Sequence, residues 1–375
     1  MQIDPPSHSP LREKGPAMKI RSHISASQEE ATIRIAASRR ELVRDIAGRS
    51  LAHQSFMVDA DADQMAMIGA AALSLGLSID DRRRCFDFGQ GLTGPWMVLR
   101  GVPNQLELPA TPQAFGDDTE VNFADTMLLG GMALAGLKPI AFSYENYGKV
   151  MRNVAPSRLS ENAISSHGAK LALQWHTDNA YAFELGFRSP ISTGHPGVPA
   201  GSPSPKYLCF VGLRNRDANG TPVPTELLPV DKLRGALPSR LLEVLKRPLF
   251  EIMPGASNQR DAMKHMPLLE TCPQTGANLL RFNANDGQTL GLTLQGRNAV
   301  NEVAKRLAEL DSETLPIFLE PGELLFFDNY RVLHRRGSFD PGPPETARWL
   351  RRCFGTTNPM AGQYVDRVHR PFVWV

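Results

Sequence analysis

His176 and Asp178 stand two residues apart at the end of the run Leu171-Ala172-Leu173-Gln174-Trp175, a spacing that constrains the fold more than any other feature. On an extended segment, residues i and i+2 leave the same face, so an imidazole and a carboxylate there can converge on one ion. A third ligand must then arrive from a distant part of the chain. The run Gly322-Glu323-Leu324-Leu325-Phe326-Phe327-Asp328-Asn329 predicts a turn and a buried strand that lead to His334. Two histidines and one carboxylate on one face of a ferrous ion leave the opposite positions open, as O2 activation beside a substrate requires. A bare His-x-Asp is common by chance, so the segment beyond His334 carries much of the weight.

That segment, Ala347-Arg348-Trp349-Leu350-Arg351-Arg352-Cys353-Phe354, reads as a strand. Even spacing puts Arg348, Leu350, Arg352 and Phe354 on one face and Arg351 on the other. Arginines that share an apolar face need an anion, and a planar guanidinium suits a carboxylate. The competing reading is a solvated basic edge strand.

Through His176-Thr177-Asp178, the Gly322 to Asn329 run, His334-Arg335-Arg336-Gly337-Ser338-Phe339 and Arg348-Trp349-Leu350-Arg351-Arg352, the chain resembles the clavaminate synthase-like branch of the Fe(II)/2-oxoglutarate dioxygenases. Taurine dioxygenase is similar but more distant, and the resemblance is firmest from about Asn153 to Thr357. It implies an α+β fold: a distorted double-stranded β-helix, or jelly roll, with flanking helices. His176, Asp178 and His334 would hold Fe(II), and Arg348 would bind the distal carboxylate of 2-oxoglutarate. Arg352 would hold the substrate's carboxylate or assist the cosubstrate. Arg214-Asn215-Arg216-Asp217 resembles a strand exit that precedes a threonine touching 2-oxoglutarate. Thr225 is the first match, with Thr221 a competitor and a plain turn residue a third reading.

The resemblance implies that O2 and 2-oxoglutarate are consumed, that succinate and CO2 are released, and that an unactivated carbon is hydroxylated. Related halogenases have a small residue where Asp178 stands, which argues against halogenation. Many members of the branch act on free amino acids, and its arginine hydroxylases grip the cationic side chain with an acidic pair. In Leu280 to Gln288 only Asp286 stands in a comparable place, so lysine, ornithine or a neutral polar side chain compete with arginine. Asp286-Gly287 is equally a turn signal. Glu145 and Ser166 fall where contacts to the amino acid's backbone are expected, although both residue types are mostly exposed. Three alternatives remain: a zinc hydrolase using the same ligands, which has no need of Arg348 and Arg352; a non-catalytic jelly-roll binding protein; and an oxygenase of a small organic acid or sulfonate.

Composition suits a large globular core: 375 residues, 42% hydrophobic and 21% charged. A net charge of +2 gives no case for nucleic acid or a membrane surface. No apolar run has membrane-spanning length, and the start lacks a signal-peptide core. Cys85, Cys209, Cys272 and Cys353 lack the close spacing of a metal or redox motif and read as reduced packing residues of a cytoplasmic protein. Residues 1–24 read as a flexible polar tail and 25–375 as one dioxygenase domain with a helical N-terminal portion; a homo-oligomer stays open. The expected partner is a small amino-acid substrate.

Periodicity predicts helices over Ser27 to Ala47, Ala60 to Leu75, Asn122 to Ala135, Ser239 to Lys246 and Asn298 to Leu310. Strands are expected at Trp96 to Leu99 and Leu137 to Tyr144, the second at a sheet edge because of Pro139. Arg188 to Pro203, which includes His195, is too rich in Gly, Pro and Ser for a strand and reads as a mobile loop.

Overall fold

The computed structural model describes residues 29–52, 55–113, 120–157, 162, 165, 167–181, 202–255, 262–272 and 275–375. The expected tail and the run containing His195 lie outside them, apart from Ser202 and Pro203. Strands β1 (Thr32–Arg34), β2 (Trp96–Arg100), β3 (Lys138–Phe142), β4 (Met151–Val154), β5 (Leu173–His176), β6 (Tyr207–Arg214), β7 (Thr225–Pro229), β8 (Phe250–Ile252) and β9 (Met263–Met266) occupy the first part. They are followed by β10 (Leu269–Thr271), β11 (Asn278–Leu280), β12 (Thr289–Gly291), β13 (Leu315–Ile317), β14 (Leu324–Asp328), β15 (Val332–Arg336), β16 (Trp349–Thr356), β17 (Tyr364–Asp366) and β18 (Arg370–Trp374). Helices are α1 (Arg40–Leu51), α2 (Val58–Gly76), α3 (Ile79–Gly89), α4 (Asn122–Leu134), α5 (Val230–Ala236), α6 (Ser239–Leu245) and α7 (Leu294–Glu309). The fold is α+β.

One sheet has the order β1-β2-β14-β6-β16-β3-β18-β17, with β4 also paired to β16; a second has the order β13-β7-β15-β5. Strand alternation sorts the apolar residues into layers. On β14, Leu325 and Phe327 join Leu208, Phe210, Leu350 and Phe354 in a core that also takes Leu227, Ile317 and Val332 of the second sheet. Their strand neighbours Leu324, Phe326, Cys209, Val211, Trp349 and Cys353 point the other way, onto α1 to α4. On the far side of the second sheet, Trp175, Leu228 and Leu333 pack with Leu233, Leu245, Val303 and Leu307 of α5, α6 and α7. The two sheets therefore face each other between two helical layers.

Local chemistry explains the elements. Ser78 caps α3 by accepting from Asp81 N at 3.0 Å, and Thr293 caps α7 through Gly296 N at 3.0 Å. Helices α2 and α4 cross at Gly69 and Gly130; a Cβ on either would meet the other's backbone within 3.0 Å.

Two expectations need correction. Ser27 to Ala47 is not one helix: the alternating Thr32-Ile33-Arg34 segment pairs parallel with β2 and buries Ile33, and helix α1 begins only at Arg40. Nor is β3 an edge strand, since it lies between β16 and β18. Of β3, only Ala141 and Phe142 pair with β18, so Pro139, opposite Gly355, needs no second ladder partner. The solvated-edge reading of β16 also fails, because β16 lies between β6 and the β3/β4 pair, with all eight of its residues buried. Among the described residues, no helix is long and apolar enough to cross a membrane. Cys85, Cys209 and Cys353 are buried thiols outside any disulfide.

Candidate active site

Strands β5 and β15 run antiparallel with His176 opposite His334, which brings the two ring centroids to 4.1 Å. The Nε2 atoms of His176 and His334 lie 3.3 and 3.4 Å from Oδ1 of Asp178. All three ligand atoms are within 4.8 Å of one another. Adjacent ligands about 2.1 Å from a shared ion sit about 3 Å apart, so the arrangement fits a divalent metal. His176 Nδ1 lies 2.7 Å from the Gln174 carbonyl, to which it donates, and this tautomer turns the Nε2 lone pair toward the carboxylate. An imidazole lone pair facing a carboxylate oxygen, with a second imidazole nitrogen beside it, favours a cation between them. Burial, reinforced by the charge of His176 and opposed by Asp178, lowers His334 to about 4, so the ring is neutral and able to ligate at pH 7. Burial alone would raise the Asp178 carboxyl, but the two adjacent histidines and the charge of Arg352 hold it well below the ordinary range.

The second Asp178 oxygen is engaged as well. Arg352 donates from Nη1 to Asp178 Oδ2 and from Nη2 to Glu145 Oε1, each at 2.6 Å. Arg152 also binds Glu145 Oε1, and Asn179 Nδ2 donates to Glu145 Oε2 at 2.9 Å. Glu145 is thus not the solvated side chain that its residue type suggests; it is 3% exposed. Burial would raise its carboxyl, yet Arg352 and Arg152 hold it below the usual range. Arg352, read from sequence as an anion holder, spends two donors on the protein's own carboxylates, and its Nε has no hydrogen-bond partner among the described residues.

Arg348 is placed differently. It is 2% exposed, its Nε donates to Asn215 Oδ1 at 2.9 Å, and it forms no ion pair among the described residues. Burial, with the nearby charge of Arg336, lowers it to about 9. Thr225, at the start of β7, is buried and lines the same cavity, whereas Thr221 is exposed in a turn where its N–H bonds Asp217; this separates the two threonines.

The cavity holds about 630 Å³ and is lined by the triad, Glu145, Arg348, Arg352, Thr225 and Asp286, among others. Asp286 is exposed, in a turn beside Gly287 at φ +69°, and that turn also borders the cavity. Segment Phe282 to Asn285 is bonded along β5: Thr177 N to Phe282 O at 2.9 Å, Ala284 N to Trp175 O at 2.8 Å, and Gln174 N to Asn285 Oδ1 at 3.0 Å. Ser166 lies outside the described residues. Sequence reasoning gave no role to Asn329, which brackets the Asp178 peptide, or to Arg336, although its i+2 spacing from His334 was a usable signal.

Residues 231–354 match the family described as taurine catabolism dioxygenase TauD, TfdA family. Enduracididine beta-hydroxylase of Streptomyces hygroscopicus is 25% identical over 283 residues, 68% of this chain and 75% of that one. L-lysine 3-hydroxylase of Catenulispora acidiphila is 24% identical over 300 residues, 78% of this chain and 75% of the relative. Among solved structures, asparagine oxygenase in complex with Fe(II), 3-hydroxyasparagine and succinate superposes with a TM-score of 0.73 and 25% identity, covering 92% of this chain and 99% of the other. A two-histidine, one-carboxylate cluster at the centre of this fold completes the likeness to the Fe(II)- and 2-oxoglutarate-dependent dioxygenases of the taurine dioxygenase superfamily.

Proposed function

We propose that the protein hydroxylates an unactivated carbon of a free amino acid whose side chain ends in an N–H donor, with lysine, arginine and ornithine the first candidates. The observation that carries this reading is the buried pair Glu145 and Arg352 on the wall of the metal cavity. A carboxylate and a guanidinium side by side complement the ammonium and carboxylate of a zwitterion. Arg352 keeps Nε and a second hydrogen on each terminal nitrogen beyond the bonds it already makes, so anchoring Asp178 and Glu145 leaves capacity for a substrate anion. Asp286, at the turn on the cavity wall, is the partner for a cationic side chain. The relatives named above are hydroxylases or oxygenases of amino acids, which supports the same class.

In this reading His176, Asp178 and His334 hold Fe(II), and Arg348 with Thr225 receives the distal carboxylate of 2-oxoglutarate. Bound there, the metal with 2-oxoglutarate and O2 supplies the oxidising power to put one oxygen atom into a C–H bond, while the cosubstrate becomes succinate and CO2. The chain's own residues orient and shield. Arg352 holds Asp178 through Oδ2 and leaves Oδ1 toward the histidines, and Glu145 with Arg152 fixes Arg352 in turn. Leu350, which shares the Arg352 face, and Phe210 give the cavity an apolar wall that limits water. The facing sheets fit a distorted double-stranded β-helix, with residues 25–375 forming one catalytic domain.

The test is succinate release by protein supplied with Fe(II), ascorbate, O2 and 2-oxoglutarate, across the free amino acids, with mass spectrometry for one added oxygen. Stimulation by lysine, arginine or ornithine with a gain of one oxygen is expected. Stimulation by sulfonates or small organic acids alone would overturn the amino-acid reading.

A further inference from the structure

Arg336 follows His334 by two positions on β15, so alternation turns both side chains to the same cavity. Arg336 is 6% exposed and Arg348 is 2% exposed. Their Cζ atoms lie 5.0 and 5.8 Å from the centroid of one ring, that of Phe339. Neither forms an ion pair with a carboxylate among the described residues, whereas their buried neighbours do: Arg352 with Asp178 and Glu145, Arg152 with Glu145, Arg351 with Asp125. Two buried like charges without a counter-ion are costly, so this corner of the cavity suits an anion brought from outside. The protein itself holds Arg336: its Nη1 donates to Gly168 O at 2.7 Å and its Nη2 to Leu171 O at 3.0 Å, which fixes its cation in place.

We propose that Arg336 is the second cation of the cosubstrate's anion site: a positioning residue that leaves the distal carboxylate to Arg348 and draws it there through charge. The proposal rests on the reading of Arg348 as the partner of that carboxylate. The competing role is purely mechanical, in which Arg336 only ties the segment before β5 to β15.

The two roles separate in a calorimetric titration of Mn(II)-loaded wild type, Arg336→Lys and Arg336→Met with 2-oxoglutarate and with pyruvate, which shares the 2-keto acid but lacks the distal carboxylate. Charge action predicts that Arg336→Met weakens 2-oxoglutarate roughly tenfold, that Arg336→Lys recovers most of the loss, and that pyruvate affinity changes by less than about twofold. In turnover, KM for 2-oxoglutarate rises while kcat changes little. Equal weakening of both ligands in both variants, or unchanged 2-oxoglutarate affinity in Arg336→Met, would overturn the assignment and leave the Arg348 reading intact. Wild type that binds pyruvate as tightly as 2-oxoglutarate would sink the Arg348 reading, and the proposal with it. Should Arg336→Met not fold, Arg336→Gln, which can still donate to one carbonyl, gives the same readings.

Discussion

Asn329 holds Asp178 from both sides of its backbone: Oδ1 accepts from Asp178 N at 2.8 Å, and Nδ2 donates to Asp178 O at 2.9 Å. The same Nδ2 reaches Pro205 O at 3.0 Å, and the side chain is 1% exposed. Asn329 directly follows β14, so an interior strand of the larger sheet sets the position of a candidate metal ligand that neither sheet carries. Asn329→Ala removes three hydrogen bonds and strands buried backbone groups, a loss of about 2–4 kcal/mol. Metal affinity should fall about 10- to 100-fold, as for other groups that orient ligands. Thermal melts and Mn(II) titration check both, and unaltered metal affinity would refute the bracketing role.

Replacing either histidine by alanine should abolish succinate formation, whereas Arg348→Ala should act on 2-oxoglutarate. Losing one charged hydrogen-bonding partner, about 1.5–3 kcal/mol, corresponds to a rise of roughly 10- to 100-fold in KM for 2-oxoglutarate. Metal content and steady-state kinetics on the three variants separate the effects. Wild-type rates in His176→Ala or His334→Ala would remove the triad assignment.

Acid should destabilise the metal-free protein through two buried histidines. Burial lowers His334 to about 4; it also lowers His167 to about 3, with help from the charges of Arg152 and Arg352. Each titrates near 6.5 once unfolded, so between these values the unfolded chain binds more protons than the folded one. Stability is therefore fully present above about pH 6.5 and falls as pH drops toward 4, by up to about 1.4 kcal/mol per pH unit for each histidine. Melting temperatures of metal-free wild type and His167→Gln between pH 7 and 5 test this; the variant should show the shallower slope.

Asp286→Asn should raise KM for a cationic amino acid roughly tenfold, with KM for 2-oxoglutarate unchanged, because the carboxylate borders the cavity but makes no ion pair among the described residues. Steady-state kinetics with lysine, arginine and ornithine would show it. Equal effects on both KM values would mean that the turn only supports the wall.

Much of this site was legible wherever one strand carried the information. Alternation alone placed Arg348, Leu350, Arg352 and Phe354 together and sent Arg351 to the opposite layer, where it meets Asp125. The His176/Asp178 pair was legible from its spacing, although Asp178 lies in the turn after β5 and not on the strand itself. What sequence could not provide were partnerships between remote strands. Glu145 looked solvated because its neutralising arginines come from β4 and β16, and Asn329 looked like a strand end because its partner is a loop peptide 151 residues away. Strand β1 was hidden because Glu29, Glu30 and the residues after Ala36 give its surroundings a helical period. Only pairing with β2 reveals the extended conformation of Thr32 to Arg34.

Hydrogen bonds along β5 join the Asp286 turn to the strand that carries His176. Under the proposed function, metal site and side-chain anchor are thereby marked on one rigid ruler, and which carbon of a bound chain meets the metal is a matter of length. A residue added to or removed from the turn after Asn285 should shift the position of hydroxylation along the substrate rather than simply weaken its binding.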